Sequence, residues 1–179
     1  MKIIETKYKG YKFRSRLEAR WAVFFDAIGL PYLYEKEGYD LEGTWYLPDF
    51  WIPDWNAFVE IKGDKPSQEE KRKCLLLQGA SKKTVLLIYG TPYPSEYNVI
   101  LYYPEDLPYD LTEGEFTQCR RCPDIYLSAK FDTENEDPVW SFRLGHAKTD
   151  PNYGGCSDRF PILTSELVNA FETARQARF

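Results

Sequence analysis

Trp45-Tyr46-Leu47-Pro48-Asp49-Phe50-Trp51-Ile52, then Pro53-Asp54-Trp55-Asn56-Ala57, then Phe58-Val59-Glu60-Ile61-Lys62 is the stretch from which everything else in this chain can be read. The first segment has the aromatic and β-branched content of a strand, and the second carries turn residues. Side chains alternate along a strand, so Val59 and Ile61 point into a core while Glu60 and Lys62 share the opposite face. A hairpin over this stretch sets Asp49 beside Glu60. Two carboxylates and one ammonium then meet at one place, which is the minimal equipment for metal-assisted cleavage of a phosphodiester.

Working outward, Leu17, Trp21, Phe24, Phe25 and Ile28 recur at helical spacing upstream, with Gly29 as a stop. Glu18 borders that apolar stripe and is placed to reach a site at the sheet edge. Pro31 to Glu35 alternates as a short strand. Downstream, Gln68 to Gln78 reads as a helix ending at Gly79, Val85 to Tyr89 as a buried strand, and Tyr97 to Tyr102 as another strand between turn-rich stretches. Leu167, Val168, Phe171 and Ala174 mark a final amphipathic helix with Thr164 as its N-cap.

Pro48-Asp49 with Glu60-Ile61-Lys62 and Gly63, a first helix bearing Glu18, and a helix-then-strand order after Gly63 together resemble the PD-(D/E)XK nuclease superfamily. Within it the chain resembles small phage-type or transposase-associated nucleases. The resemblance covers roughly the first half of the chain. It implies an α/β, restriction-endonuclease-like αβββαβ core and a phosphodiester hydrolase acting on DNA rather than RNA. On that basis Glu18, Asp49, Glu60 and Lys62 are the expected catalytic residues. Asp49, Glu60 and the Ile61 carbonyl would hold Mg2+ or Mn2+, and Lys62 would orient or deprotonate a water or neutralise the transition state. A catalytically idle member of the same fold, binding nucleic acid or protein in an inhibitor-like way, is the alternative.

The chain has 179 residues, of which 43% are hydrophobic, enough for one buried core with an appendage. A formal net charge of -5 runs against phosphate binding, but its distribution matters more. Residues 1 to 36 hold eight Lys and Arg against four Asp and Glu, which makes Lys12, Arg14, Arg16 and Arg20 the expected nucleic-acid contacts. Residues 37 to 60 hold six acids and no Lys or Arg, a pattern that suits a cation between protein and nucleic acid. No run is long and apolar enough for a membrane span, and Met1 to Lys7 does not read as a signal peptide, so the expected location is the cytoplasm, that of the host if the chain is phage-encoded.

Cys119-Arg120-Arg121-Cys122 has the spacing that presents two thiolates to one tetrahedral metal, and His146 and Cys156 could complete a structural Zn2+ site. Asp124, Asp150 or Asp158 could replace one of these ligands, and unligated thiols with a surface histidine are the competing possibility. Cys74 reads as a buried structural thiol. The expected organisation is a nuclease-like core over 1–112, a zinc-stapled module over 113–160, and a terminal helix over 161–179 packing on the core. A homodimer or a protein partner is compatible with this sequence.

Overall fold

The computed structural model describes residues 4–104, 111–118, 124–131, 141–144 and 163–179. The chain opens with a small hairpin, β1 (Thr6–Tyr8) and β2 (Tyr11–Phe13), and continues into α1 (Arg16–Ala27) and β3 (Leu33–Tyr34). A second hairpin, β4 (Tyr39–Leu41) with β5 (Thr44–Tyr46), forms a separate two-stranded sheet. Then come β6 (Phe50–Ile52), β7 (Ala57–Lys62), α2 (Gln68–Ser81), β8 (Thr84–Gly90) and β9 (Tyr97–Tyr102). The described residues end with β10 (Leu111–Gln118), β11 (Ile125–Phe131), β12 (Ser141–Leu144) and α3 (Ser165–Gln176). The fold is mixed α/β.

Among the described residues the main sheet has eight strands in the order β12-β11-β10-β9-β8-β7-β6-β3. All its pairings are antiparallel except β7 with β8, the two strands joined through α2. A parallel pair cannot be joined by a tight turn, and α2 is the crossover that the geometry demands. The element order from α1 through β3, β6, β7, α2 and β8 is thus one helix, three antiparallel strands, a crossover helix and a parallel strand. The described strands between residues 111 and 144 continue the same sheet beyond β9.

Each helix starts where the sequence supplies a cap. Ser15 accepts from Glu18 N–H at 3.1 Å to begin α1. Ser67 and Glu70 form a reciprocal capping box for α2, and Thr164 accepts from Leu167 N–H to begin α3. Gly29, at φ +68°, turns the chain just past α1, a conformation open to glycine without a Cβ penalty.

Both faces of the sheet are covered. On one, Trp21, Phe24 and Phe25 of α1 meet Phe171 of α3 and Val59, Ile61, Leu86 and Ile88 of the central strands. Phe24 stacks on Phe171 with centroids 4.5 Å apart and meets Phe116 edge-on at 4.9 Å, pairs worth about 0.5–1.5 kcal/mol each beyond their buried area. Trp21 directs its indole N–H to Gly90 O at 3.1 Å, so the largest ring of the core leaves no donor unpaired. On the opposite face a smaller cluster joins Leu41, Trp51, Phe58, Cys74, Leu77, Val85 and Leu87. Cys74 is fully buried there, as its apolar neighbours in sequence led us to expect.

Two expectations are corrected. Trp45 to Ile52 is not one strand: Thr44–Tyr46 pairs with Tyr39–Leu41, and only Phe50–Ile52 joins the main sheet. Pro48, which has no N–H for a ladder, separates them. Likewise Gly79 does not end α2, which runs on to Ser81 and stops where Lys82 adopts φ +54°. A Cβ at Gly79 would meet nothing within 4 Å, so the helix passes through it at only the usual glycine propensity cost.

Candidate active site

The turn between β6 and β7 sets the site. Pro53–Trp55 forms a single 3-10 turn and Asn56 takes the left-handed conformation at φ +48°, one of the few non-glycine residues that tolerates it. The strands then pair Phe50 with Val59 and Trp51 with Phe58. Extending this register by one residue places Asp49 opposite Glu60, on the face that carries Trp51 and Phe58. Ile61 N–H closes the arrangement by donating to Asp49 Oδ2 at 2.8 Å.

Asp49 and Glu60 are only 3% and 4% exposed. Burying two carboxylates side by side is costly unless each is paired. Arg14 supplies part of that pairing, its Nη2 lying 2.6 Å from Asp49 Oδ1 and its Nε 2.8 Å from Glu35 Oε1. Lys62 supplies another part, with Nζ 2.7 Å from Glu60 Oε1. The balance is incomplete. Among the described residues Glu60 Oε2 is buried and has no hydrogen-bond partner, while the Tyr46 hydroxyl interacts with the Glu60 carboxylate. Asp49 is held well above its ordinary value of 3.8 by burial first, then by the charges of Glu60 and Glu18, against the opposing pull of Ile61 N–H and Arg14.

Lys62 shows the reverse balance. Burial alone would lower its pKa, but Glu60, Asp49 and Glu70 outweigh burial and raise it. The ammonium form is therefore favoured. Tyr46, at the end of the separate hairpin, is pushed far up by burial and then by the charge of Glu60, and the buried Cys74 is raised for the same two reasons. All these groups feel the charges of Glu60 and Asp49.

Glu18 lies close enough to raise Asp49, but its own oxygens are occupied. Ser15 Oγ donates to Oε1 at 2.6 Å, and Tyr34 OH at 2.6 Å and Arg14 N–H at 3.2 Å both reach Oε2. As the third residue of the first turn, it holds the Ser15 cap hydroxyl and ties down the backbone from which Arg14 projects. Ile61 enters the site through its N–H, which holds Asp49.

The four expected basic contacts do not form one row. Arg14 turns into the carboxylates, Lys12 pairs with Glu5 at 2.7 Å on the surface, Arg16 is exposed, and Arg20 is half-buried with Nε lacking a partner among the described residues. The direct Arg14–Asp49 bond and the parts played by Tyr34, Glu35 and Tyr46 were missed in the sequence. None of these contacts left a readable local signal, since each joins residues far apart in the chain or on different elements. Cys119, Cys122, His146 and Cys156 lie outside the described residues.

Among the described residues no three His, Cys, Asp or Glu side chains converge as a metal cage. Mg2+ needs fewer, being commonly held by one or two carboxylates with water and phosphate completing its shell. The orphaned Glu60 Oε2 beside an Asp49 that is costly to ionise fits that need: a divalent cation would satisfy both. No family model matches this sequence, and no curated protein matches it. No helix among the described residues is long and apolar enough to cross a membrane.

Proposed function

We propose that this chain is a divalent-metal-dependent phosphodiester hydrolase of the PD-(D/E)XK class, with a restriction-endonuclease-like core and DNA as its substrate. The observation that carries this reading is the buried, partnerless Glu60 Oε2 next to the charge-stressed Asp49, with Lys62 fixed two residues along the same strand face. Two buried, mutually repelling carboxylates beside a fixed ammonium are the arrangement that suits a divalent cation, which supports this reading.

Asp49 and Glu60 are the residues to hold Mg2+ or Mn2+. When bound, the ion supplies Lewis-acid polarisation of a phosphate and acidifies a bound water. Lys62, with its proton held at Nζ by three nearby carboxylates, acts as a fixed cation toward the charge that develops on the phosphoryl oxygens rather than as the base. Ile61 N–H fixes the Asp49 carboxylate in one orientation, so little reorganisation is needed at the moment of reaction. Glu18 positions α1 and Arg14 rather than contacting the reacting atoms. Cys119, Cys122, His146 and Cys156 would add a structural Zn2+ site to the same protein, which elemental analysis of wild type and of Cys119→Ser tests directly.

The test is incubation of the purified chain with linear, circular, single-stranded and branched DNA and with RNA, in Mg2+, Mn2+ or EDTA. Cleavage is expected in Mg2+ or Mn2+ only, and Lys62→Met is expected to slow it by about 10²–10³-fold. Cleavage in EDTA, or undiminished cleavage by Asp49→Asn and Lys62→Met, would refute the proposal. Nucleic-acid binding without cleavage under every condition would favour the idle form of the fold.

A further inference from the structure

Asp49 has a partner on each oxygen. Ile61 N–H holds Oδ2, and Arg14 Nη2 sits at 2.6 Å on Oδ1, the oxygen left for any cation. Glu60 is different, because Lys62 covers only Oε1 and the buried Oε2 has no hydrogen-bond partner among the described residues. A guanidinium and a divalent ion cannot share one carboxylate oxygen without strong repulsion at such short range. The Asp49 side of the carboxylate pair is thus blocked by a residue of the protein itself.

Beyond Asp49, Arg14 Nη2 reaches only Leu47 O at a long 3.5 Å among the described residues, and the surroundings of the side chain favour its release. Its side chain is 52% exposed, so moving off Asp49 buries no charge. Its Nε is held independently by Glu35 Oε1 at 2.8 Å. Glu35 is in turn fixed next to Asp49 by its own N–H, which donates to Asp49 O at 2.9 Å. The Arg14 backbone does not need to follow, because its N–H is anchored on Glu18 Oε2 and Tyr34 OH. One guanidinium is shared by two acids, and losing the first leaves it hinged on the second. Lys12 and Arg16 make no such contact with the carboxylates.

We infer that Arg14 is a displaceable counter-ion: it occupies Asp49 in the metal-free protein, yields Oδ1 to a divalent cation while hinged on Glu35, and then contacts the phosphate backbone of a nucleic acid. This inference rests on the metal-dependent reading of the site given above. It makes metal loading and substrate contact two positions of one side chain. Removing Arg14 therefore strengthens metal binding and weakens nucleic-acid binding, opposite effects that a merely structural arginine would not produce.

The experiment is calorimetric titration of the full chain with Mn2+, without nucleic acid, for wild type, Arg14→Ala, Arg14→Gln and Arg16→Ala. Both Arg14 variants are expected to bind Mn2+ about tenfold more tightly, equivalent to ~1.4 kcal/mol, with Arg16→Ala close to wild type. Binding of a labelled DNA duplex is then measured against salt in a Lys62→Met background, in Mn2+ and in EDTA. In Mn2+ the logarithmic salt slope should be shallower by about one unit without Arg14, and in EDTA it should be unchanged. Unchanged or weaker Mn2+ binding in both folded Arg14 variants, or equal tightening in Arg16→Ala, overturns the inference alone. Wild type that binds no Mn2+ overturns it together with the metal-dependent function.

Discussion

On one side of β7, Ala57, Val59 and Ile61 lie in an apolar core closed over by α1 and α3; on the other, Phe58 meets Leu77 and Val85, but Glu60 and Lys62 leave the apolar cluster and meet charge. Both faces belong to one strand of six residues and are equally cut off from water for most of its length. On the first face the packing is apolar, and the Trp21 indole N–H is paired. The second ends in a carboxylate oxygen without a hydrogen-bond partner among the described residues and an Asp49 that resists ionisation. The difference teaches where stability and chemistry part in this fold. One side spends its burial on packing, and the other holds charges that packing alone would not tolerate.

The largest expected effect breaks the satisfied face. Phe24→Ala removes a ring that touches Phe171 and Phe116, and should cost about 3–5 kcal/mol in urea unfolding. Leu77→Ala, in the smaller cluster, should cost about 2–3 kcal/mol. A larger loss for Leu77 than for Phe24 would reverse the ranking of the two faces.

The unsatisfied face should respond in the other direction. Asp49 has a folded pKa above its ordinary value of 3.8, so the folded state binds more protons than the unfolded one between these two values. Below 3.8 both states are protonated and no penalty exists. As pH rises through the interval, the metal-free protein loses the stability that the neutral form provides, and above the folded pKa the penalty is constant. Asp49→Asn, which mimics the neutral acid, should flatten this pH dependence and stabilise the metal-free protein at pH 8 by about 1 kcal/mol. Unfolding curves in EDTA at several pH values measure this, and a variant less stable than wild type at pH 8 would remove the claim of a stressed carboxylate.

The smallest effect concerns the contact between the faces. Ser15 caps α1 and also donates to Glu18 Oε1, so Ser15→Ala should cost about 1 kcal/mol. It should leave Mn2+ affinity nearly unchanged, because Glu18 keeps Tyr34 and the Arg14 N–H. A large fall in Mn2+ affinity would instead make Glu18 a ligand.

What could be read from the sequence was what local periodicity encodes. The alternation of Val59 and Ile61 against Glu60 and Lys62, the helical stripe from Leu17 to Phe25, and the Thr164 cap all appear where expected, since each depends on neighbours a few residues away. Trp45 was misplaced because its strand partner, Asp40, lies across a tight turn that the continuous aromatic run conceals. Arg14 could be recognised as basic but not as a partner of Asp49, because that bond spans 35 residues. Tyr34 reaches Glu18 across 16, with no periodic signal to announce it. The site's acids were legible because they share a hairpin; the groups that hold and block them come from elsewhere in the chain.

The most direct test of the central claim, that the unsatisfied face is built for a divalent cation, is the shift in thermal unfolding midpoint on adding Mn2+ at pH 6 and pH 8, for wild type and Asp49→Asn. Wild type should be stabilised, by about 2.7 kcal/mol at a free concentration 100 times the dissociation constant. The shift should grow as pH rises through the folded pKa of Asp49, because the cation competes with a proton there, and Asp49→Asn should show little of it. No stabilisation of wild type, or an equal shift in Asp49→Asn, would contradict the claim.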